Sequence, residues 1–334
     1  MKLIFAKRLL NWLKRALLWT GVFIFVLLTT GMIYQTAATE ADKKNFPPPG
    51  NLIDVGGFKM HIYCVGEGSP TVILEAMSGG GSPYWGWIQP EIAKKTRVCA
   101  YDRAGFYWSE PDPEPQTLAR TVRNLHTLLV NANITGPYVL VGHSIGGLYV
   151  RQFAIDYPEQ VAGLVLFDAG NPQQFAQYPD LFADTDNFLR IMPELQILSK
   201  IGIGRLYFAS GGEADFSGLP EPQKSQVKAF WSSPGYLGAQ NIGLRASYKV
   251  WADALNLGSL GNLPLTVVSR GVSLGYDWAK YQDELAALST NSQHITVEGS
   301  NHSELVFNPE FAHEVSQAIL QVVDAVQTGK RLNP

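Results

Sequence analysis

Charge and cysteine are both scarce in this sequence. Of its 334 residues, 16% are Asp, Glu, Lys or Arg and two are cysteines, which excludes a small scaffold held together by disulfides. The net charge of −3 lacks the basic excess that neutralises phosphates, so no nucleic-acid partner is expected. Internal repeats and low-complexity tracts are also lacking. The 46% of hydrophobic residues is typical of a globular protein with two domains, or with one large domain and additions.

Acidic residues are absent before Glu40, and residues 16–34 carry no charge at all. This stretch is about 19 residues long, enough to cross the hydrocarbon core of a membrane at 1.5 Å per residue. Under the positive-inside rule, basic residues ahead of a span stay in the cytoplasm. The rest of the chain is therefore expected on the extracytoplasmic side of the cell membrane, held by a single span. The basic residues are Lys2, Lys7, Arg8, Lys14 and Arg15.

We predict that residues 1–38 form an uncleaved membrane anchor. The alternative is a cleaved signal peptide, for which the small residues at 36–38 offer a cleavage site. Residues 39–50 include three consecutive prolines. They are predicted to form a polar, stiff spacer outside both the anchor and the domain that follows.

Eight short segments rich in β-branched residues follow the spacer, and from the third one on they alternate with helix-like stretches. The apolar runs at 71–74, 138–141 and 164–167 lack polar alternation, as is typical of parallel strands covered on both faces. The pattern predicts a doubly wound α/β sheet flanked by helices and opened by an antiparallel hairpin. The predicted strands are 52–55, 59–65, 70–76, 97–102, 138–142, 161–168, 263–269 and 294–298.

About 90 residues separate the sixth predicted strand from the seventh, where a short connection is expected. This segment, 171–262, is rich in Phe, Tyr, Leu and Ile, and we interpret it as a helical insertion. The core then consists of 51–170 and 263–330. The insertion is expected to form a lid over the carboxyl edge of the sheet, where ligands bind in open α/β folds.

A Gly-X-Ser-X-Gly motif at 142–146 lies between a predicted strand and a predicted helix. Its glycines let the chain pass through a strained turn that lifts the Ser144 hydroxyl above the sheet. A second match at 271–275 puts Ser273 in a predicted loop, so we interpret that match as chance. The alternative interpretation of Ser144 is a turn serine that only caps the following helix.

Three sequence blocks resemble the serine hydrolases of the α/β-hydrolase fold, in particular a bacterial esterase-like branch. The resemblance covers about 51 to 326, except for the insertion. It implies a mostly parallel eight-stranded sheet with a helical lid between strands six and seven. The blocks are VILEAMSGGG at 72–81, YDRAG at 101–105 followed by Ser109, and GHSIGG at 142–147.

The resemblance also implies how an oxyanion would be held. In such enzymes one donor is the backbone N–H of the residue after the nucleophile, here Ile145. The other donor lies in the loop after the third strand, which points to Ser78 or its neighbour Met77. Ala76 and Met77 replace the His-Gly that usually occupies this loop, so the choice of donor between Ser78 and Met77 stays open. The alternative for the glycines at 79–81 is a flexible turn.

Family order requires the nucleophile, then the acid, then the base, and His302 after the last predicted strand satisfies it as the base. Two carboxylates compete for the acid. Asp168 ends the sixth predicted strand, an alternative placement known in this fold, whereas Asp277 is the first carboxylate after the seventh. His143, beside the serine, is expected to pack against the turn or to line it.

Tyr84 and Trp85 follow the glycines and join His143 as candidates for lining an apolar substrate pocket. Cys64 and Cys99 fall in predicted strands two and four, which are spatial neighbours in this fold. Outside the cytoplasm they could form a disulfide, and two unpaired buried cysteines are the alternative.

The resemblance therefore implies a serine hydrolase that cleaves a carboxylic ester of an apolar small molecule or lipid through an acyl-enzyme, with Ser144, His302 and Asp168 as its triad. No metal and no organic cofactor are implied. Amidase, thioesterase and lyase activities remain alternatives, as does a noncatalytic binding protein on the same scaffold. Dehalogenase and epoxide-hydrolase chemistry are disfavoured, because similar enzymes of those classes use Asp where Ser144 stands.

Overall fold

A computed structural model describes residues 2–212, 214–272 and 275–332. It contains one sheet built from β1 (Asn51–Asp54), β2 (Lys59–Val65), β3 (Thr71–Glu75), β4 (Val98–Tyr101), β5 (Tyr138–His143), β6 (Val161–Phe167), β7 (Leu265–Arg270) and β8 (Ser292–Val297). The spatial order is β1-β2-β4-β3-β5-β6-β7-β8. The pairs β1 with β2 and β2 with β4 are antiparallel, and the others are parallel. This confirms the predicted fold class.

Helices cover both faces of the sheet. The helices are α1 (Lys2–Asn45), α2 (Ile88–Ala93), α3 (Leu118–Asn131), α4 (Gly146–Asp156), α5 (Pro172–Gln177), α6 (Ala183–Lys200), α7 (Ile203–Ala209), α8 (Gln223–Trp231), α9 (Pro234–Ala254), α10 (Trp278–Ala286), α11 (Glu304–Phe307) and α12 (Pro309–Thr328). The apolar runs supply a core to each face, since Val72 and Leu74 point into a cluster with α2 and α12, while Ile73 between them joins α3 and α4 on the other face.

Helices α5 to α9 lie between β6 and β7, in the segment predicted as an insertion. The longest of them, α9, packs at the carboxyl edge of the sheet. Its Trp251 ring lies against Gly170, just after β6, and its Tyr236 hydroxyl donates to the carbonyl of Gly79 at 2.8 Å. The insertion is therefore attached directly to the loops that follow β3 and β6.

Helix α1 differs from its prediction, because it continues past residue 38 to Asn45. The segment 39–45 was expected in the spacer, but it contains no glycine or proline. Two contacts hold this part in helical form: the Lys43 ammonium lies 2.7 Å from Glu40, and Asp42 pairs with Arg205 of the insertion at 2.6 Å. The prolines at 47–49 then end the helix, and the spacer is reduced to residues 46–50.

Strands β2 and β4 bring the two cysteines together. Cys64 lies directly opposite Cys99 in the antiparallel register, and a disulfide joins them. The pairing lies within the sheet itself, so it links the antiparallel hairpin to the first of the parallel strands.

Candidate active site

The turn after β5 holds Ser144 in a left-handed backbone conformation, with φ of 58°. Such a conformation is uncommon for a residue other than glycine and is typical of a strained nucleophile turn. The flanking glycines are required by space: a Cβ on Gly142 would lie 2.7 Å from the carbonyl of Gly146, and a Cβ on Gly146 would lie 2.7 Å from the carbonyl of Glu75. Helix α4 begins directly after this turn.

His302 and Asp168 meet at the carboxyl edge of the sheet. They are 134 residues apart in the chain, and the Nδ1 atom of the imidazole contacts Oδ2 of the carboxylate. Asp168 adopts φ of 43°, and its N–H donates to the carbonyl of Val268 in β7 at 2.6 Å. With Nδ1 engaged, Nε2 is the nitrogen of His302 that can exchange a proton with another group.

Arg270, which sequence reasoning missed, holds the same carboxylate from the other side. Its Nε lies 2.7 Å from Oδ2 of Asp168, and its guanidinium stacks over the Trp278 ring at 4.5 Å. Burial opposes ionisation of Asp168, but the hydrogen bonds and charges of His302 and Arg270 outweigh it and lower the pKa of Asp168 from 3.8 to about 2. The carboxylate is therefore ionised at neutral pH.

Asp277, the competing candidate, lies elsewhere. Its side chain is exposed and accepts a hydrogen bond from the Tyr178 hydroxyl at 2.9 Å. Among the described residues, the carboxylate that contacts the His302 imidazole is Asp168. Ser273, in the second Gly-X-Ser-X-Gly match, lies outside the described residues.

His143 connects the His302 imidazole to the turn. It precedes Ser144 directly, its ring stacks on Phe167 with centroids 4.3 Å apart, and the His302 ring lies 4.6 Å away. Burial, together with the charges of His302 and Arg270, lowers the pKa of His143 well below its usual range. His143 is therefore a neutral packing group beside the turn.

Arg103 binds the backbone of the loop that follows β3. Its guanidinium donates to the carbonyls of Ala76 and Met77, both at 2.6 Å. Because C=O and N–H point in opposite directions across a planar trans peptide, these two bonds aim the N–H groups of Met77 and Ser78 away from Arg103. A carboxylate at the end of β3, Glu75, accepts from Arg103 in turn.

The glycines at 79–81 are packed rather than flexible. Gly79 adopts φ of 69°, and a Cβ there would lie 2.9 Å from the Tyr236 hydroxyl of α9. A Cβ on Gly81 would collide with the Tyr107 ring. The loop therefore has a single shape, set by the neighbouring strand and by the insertion.

A second histidine–aspartate pair is hydrogen-bonded to the end of the same loop. Asp102 is fully buried, accepts from the Ser82 N–H at 2.6 Å and contacts Nδ1 of His61 at 2.8 Å. His61 is itself fully buried. The antiparallel pairing of β2 with β4 brings its imidazole over the carboxylate and away from water.

Tyr84 and Trp85, expected in a substrate pocket, are buried in the core. The Trp85 ring packs edge-on against Phe167, and the Tyr84 ring packs edge-on against Phe307. Their position in a short helical turn (Ser82–Trp85) directs both rings into the apolar layer above the sheet.

A large cavity of about 740 Å³ lies beside this layer, between the end of α1, the loop after β4 and helices α8 and α9. Its walls are mainly aromatic and aliphatic, and Tyr107 and Tyr236 separate it from the glycine loop. The aromatic side chains that line it are Phe46, Tyr107, Trp108, Phe230 and Tyr236.

Comparison with known proteins agrees with this architecture. An uncharacterised protein of Bacillus subtilis strain 168 named YbdG is 22% identical over 328 residues, 95% of this chain and 99% of that protein. A thermophilic esterase from Thermogutta terrifontis superposes with a TM-score of 0.57 at 20% identity, over 82% of this chain and 97% of the esterase. An epoxide hydrolase from Vigna radiata superposes with a TM-score of 0.62 at 18% identity, over 82% and 97%. The two superpositions show the same fold. Because the model of the Alpha/beta hydrolase family matches residues 77–318, the chain belongs to that family.

Proposed function

We propose that this protein is a serine hydrolase that cleaves carboxylic esters of apolar compounds through an acyl-enzyme. The observation that carries the proposal is the strained turn at Ser144 together with a His302 imidazole that Asp168 holds and that lies 4.6 Å from the ring of the neighbouring His143. This chemistry needs three groups: a nucleophilic serine at the edge of the sheet, a histidine with one nitrogen engaged and a buried carboxylate.

In the proposed mechanism the Ser144 hydroxyl attacks the ester carbonyl while Nε2 of His302 takes its proton. Asp168 keeps the proton on Nδ1 and stabilises the imidazolium that forms. The developing oxyanion accepts hydrogen bonds from the N–H groups of Ile145 and Ser78. His302 then protonates the leaving alcohol, and a water molecule, deprotonated by the same imidazole, releases the acid from Ser144.

Serine rather than aspartate at the turn is what favours an ester over an epoxide or a haloalkane. Family relatives with those substrates resemble this chain but use Asp where Ser144 stands. An apolar substrate is favoured by the aromatic walls of the 740 Å³ cavity, which Tyr107 and Tyr236 separate from the glycine loop at 79–81. The insertion acts as the lid over that loop, through the bond from Tyr236 to Gly79.

Hydrolysis of p-nitrophenyl esters of increasing acyl length by the full-length protein in detergent micelles tests this function. We expect turnover of at least one ester in the series, and none by Ser144→Ala. If a folded wild-type protein hydrolyses no ester above the background of the Ser144→Ala variant, the proposed function is wrong.

We also propose that α1 anchors the protein, uncleaved, in the cell membrane with the hydrolase domain outside the cytoplasm. The helix from Ile4 to Asn45 is long and apolar enough to cross a membrane. Cleavage after residue 38 would remove Gln35, which is 3% exposed and bonded to the Ser232 carbonyl at 3.0 Å and to Arg205 at 3.0 Å. Because these contacts belong to the folded domain, retention of the helix is favoured. Protease added to spheroplasts should digest the domain, and mass spectrometry should find an intact N-terminal helix.

A further inference from the structure

Helices α6 and α7 of the insertion carry an unusual concentration of exposed apolar side chains. Among the described residues outside α1, twelve large apolar side chains are exposed, and six of them fall between residues 191 and 207. On α7 they follow one another at i, i+3 and i+4, so they share one side of that helix. We name this surface the α6–α7 face; it consists of Ile191, Ile197, Leu198, Ile203, Leu206 and Tyr207.

The turn between these two helices packs directly on α1. A Cβ on Gly31 would lie 2.7 Å from the Ile201 carbonyl, and a Cβ on Gly202 would lie 3.0 Å from the Tyr34 ring. Only glycine allows the backbone of the turn and that of α1 to approach this closely, because a side chain at either position would force them apart. The two backbones are therefore packed against each other with little room to move. The α6–α7 face is therefore held at a fixed height along α1.

Polar contacts about one to three turns beyond Gly31 along α1 fix the same arrangement. Arg205 of α7 pairs with Asp42 at 2.6 Å and donates to the side chain of Gln35 at 3.0 Å. Beyond the helix, the Trp108 indole donates to the Phe46 carbonyl at 2.9 Å. The end of α1 is thus attached both to the insertion and to the sheet.

The contacts of the α6–α7 turn with Gly31 and Tyr34 place the α6–α7 face at the end of the apolar stretch 16–34. Gly31 precedes Tyr34 by three residues, about 4.5 Å along a helix that rises 1.5 Å per residue. Helices that lie in a membrane interface bury their apolar side roughly 5–10 Å into the boundary between headgroups and acyl chains. An α1 that spans the bilayer therefore brings the turn at Ile201 and Gly202 to this boundary, and the exposed Leu198 and Ile203 lie within one helical turn of it. Clustered exposed apolar side chains at such a place are typical of a membrane contact.

We propose that the α6–α7 face is a second membrane contact, which lies in the outer-leaflet interface beside α1 and is covered by lipid. This inference rests on the proposed anchoring by α1 and goes beyond it. The contact fixes the insertion at the membrane surface. Phe46, which lines the cavity, follows Tyr34 by twelve residues, or about 18 Å at the helical rise. An apolar substrate dissolved in the bilayer then reaches the insertion without crossing bulk water.

Fluorescence quenching in lipid nanodiscs with one full-length protein per disc tests the proposal. Single cysteines at Ile197 or Leu206 are labelled with an environment-sensitive dye, while Cys64 and Cys99 are protected from the thiol reagent by their disulfide. The quencher is a phosphatidylcholine with a nitroxide near the headgroup end of its acyl chain. The matched control is Val130→Cys, because Val130 is 54% exposed and Leu206 55%, and Val130 ends α3 at the opposite edge of the sheet.

We expect lipid nitroxide to quench the dyes at positions 197 and 206 at least about threefold more strongly than the dye at position 130. Equal quenching at all three positions overturns the proposal. A dye at position 206 whose emission is blue-shifted but not quenched by lipid nitroxide also overturns it, because a protein would then cover the face. A dye at Phe25 in α1 separates the two claims. If it is quenched while 197 and 206 are not, the anchor stands and the second contact falls; if none is quenched, both fall.

Discussion

Replacement of Asp168 by Asn tests which carboxylate orients His302. Asparagine keeps the size of the side chain but removes the charge that stabilises imidazolium and the acceptor that holds the proton on Nδ1. Loss of that tautomer costs roughly 10⁴-fold in kcat in the triad of serine proteases. We expect Asp168→Asn to lower kcat for a p-nitrophenyl ester by about three to four orders of magnitude, with a smaller change in KM.

The same substitution has a stability effect that can be worked out from the structure. The pKa of Asp168 falls from 3.8 to about 2 on folding, which corresponds to roughly 2 kcal/mol in favour of the folded state. Since the folded pKa is the lower one, this stabilisation is present above pH 3.8 and is lost as the pH falls through about 2. The unfolding midpoint of Asp168→Asn should therefore lie below that of the wild type at pH 7 and approach it in acid.

The control is Asp277→Asn, since Asp277 is exposed and bonded to Tyr178. We expect it to change kcat by less than about tenfold, the effect of a surface group that contributes only about 1 kcal/mol. Kinetics and denaturation of both variants, measured on protein with native circular dichroism, complete the test. A folded Asp168→Asn variant with kcat within tenfold of the wild type would refute the assignment, and a large loss in Asp277→Asn would move the acid to strand seven.

Four further variants probe the surrounding structure. Arg103→Lys keeps the buried charge but cannot hold both loop carbonyls; we expect kcat to fall about tenfold to a hundredfold with little change in KM, and an unchanged kcat would contradict its positioning role. Gly146→Ala places a Cβ 2.7 Å from a backbone carbonyl and should lower the free energy of unfolding by about 1–3 kcal/mol. The control Gly238→Ala on α9, where a Cβ meets nothing within 4 Å, should raise it by up to about 1 kcal/mol. Urea denaturation measures both, and equal effects of the two variants would contradict the close approach at Gly146. The double variant Cys64→Ala with Cys99→Ala opens a crosslink spanning 35 residues and should cost about 3–4 kcal/mol in the same assay; no change would show that the bond contributes nothing to stability.

Local patterns were sufficient to predict the sheet and the turn at Ser144. Uninterrupted apolar runs identify parallel strands because both of their faces are covered, and a strained turn between strand and helix needs glycines at fixed spacing. The helical insertion followed from an interruption of the same alternation. These features depend on residues close together in the chain.

Features that depend on distant pairs could not be predicted in this way. Arg270 reaches Asp168 across 102 residues and Gln35 reaches Ser232 across 197, and no local spacing marks either pair. The burial of His61 depends on the antiparallel neighbour β4, which supplies Asp102. The extension of α1 to Asn45 likewise depends on its contacts with the insertion.

Active-site labelling with a fluorophosphonate tests the central claim most directly. The full-length protein is treated with the probe, digested and analysed by mass spectrometry to locate the modified residue. We expect a single modified serine, Ser144, with labelling abolished in Ser144→Ala, strongly slowed in His302→Ala and unchanged in Ser273→Ala. Labelling that persists in Ser144→Ala, or that disappears in Ser273→Ala, would contradict it.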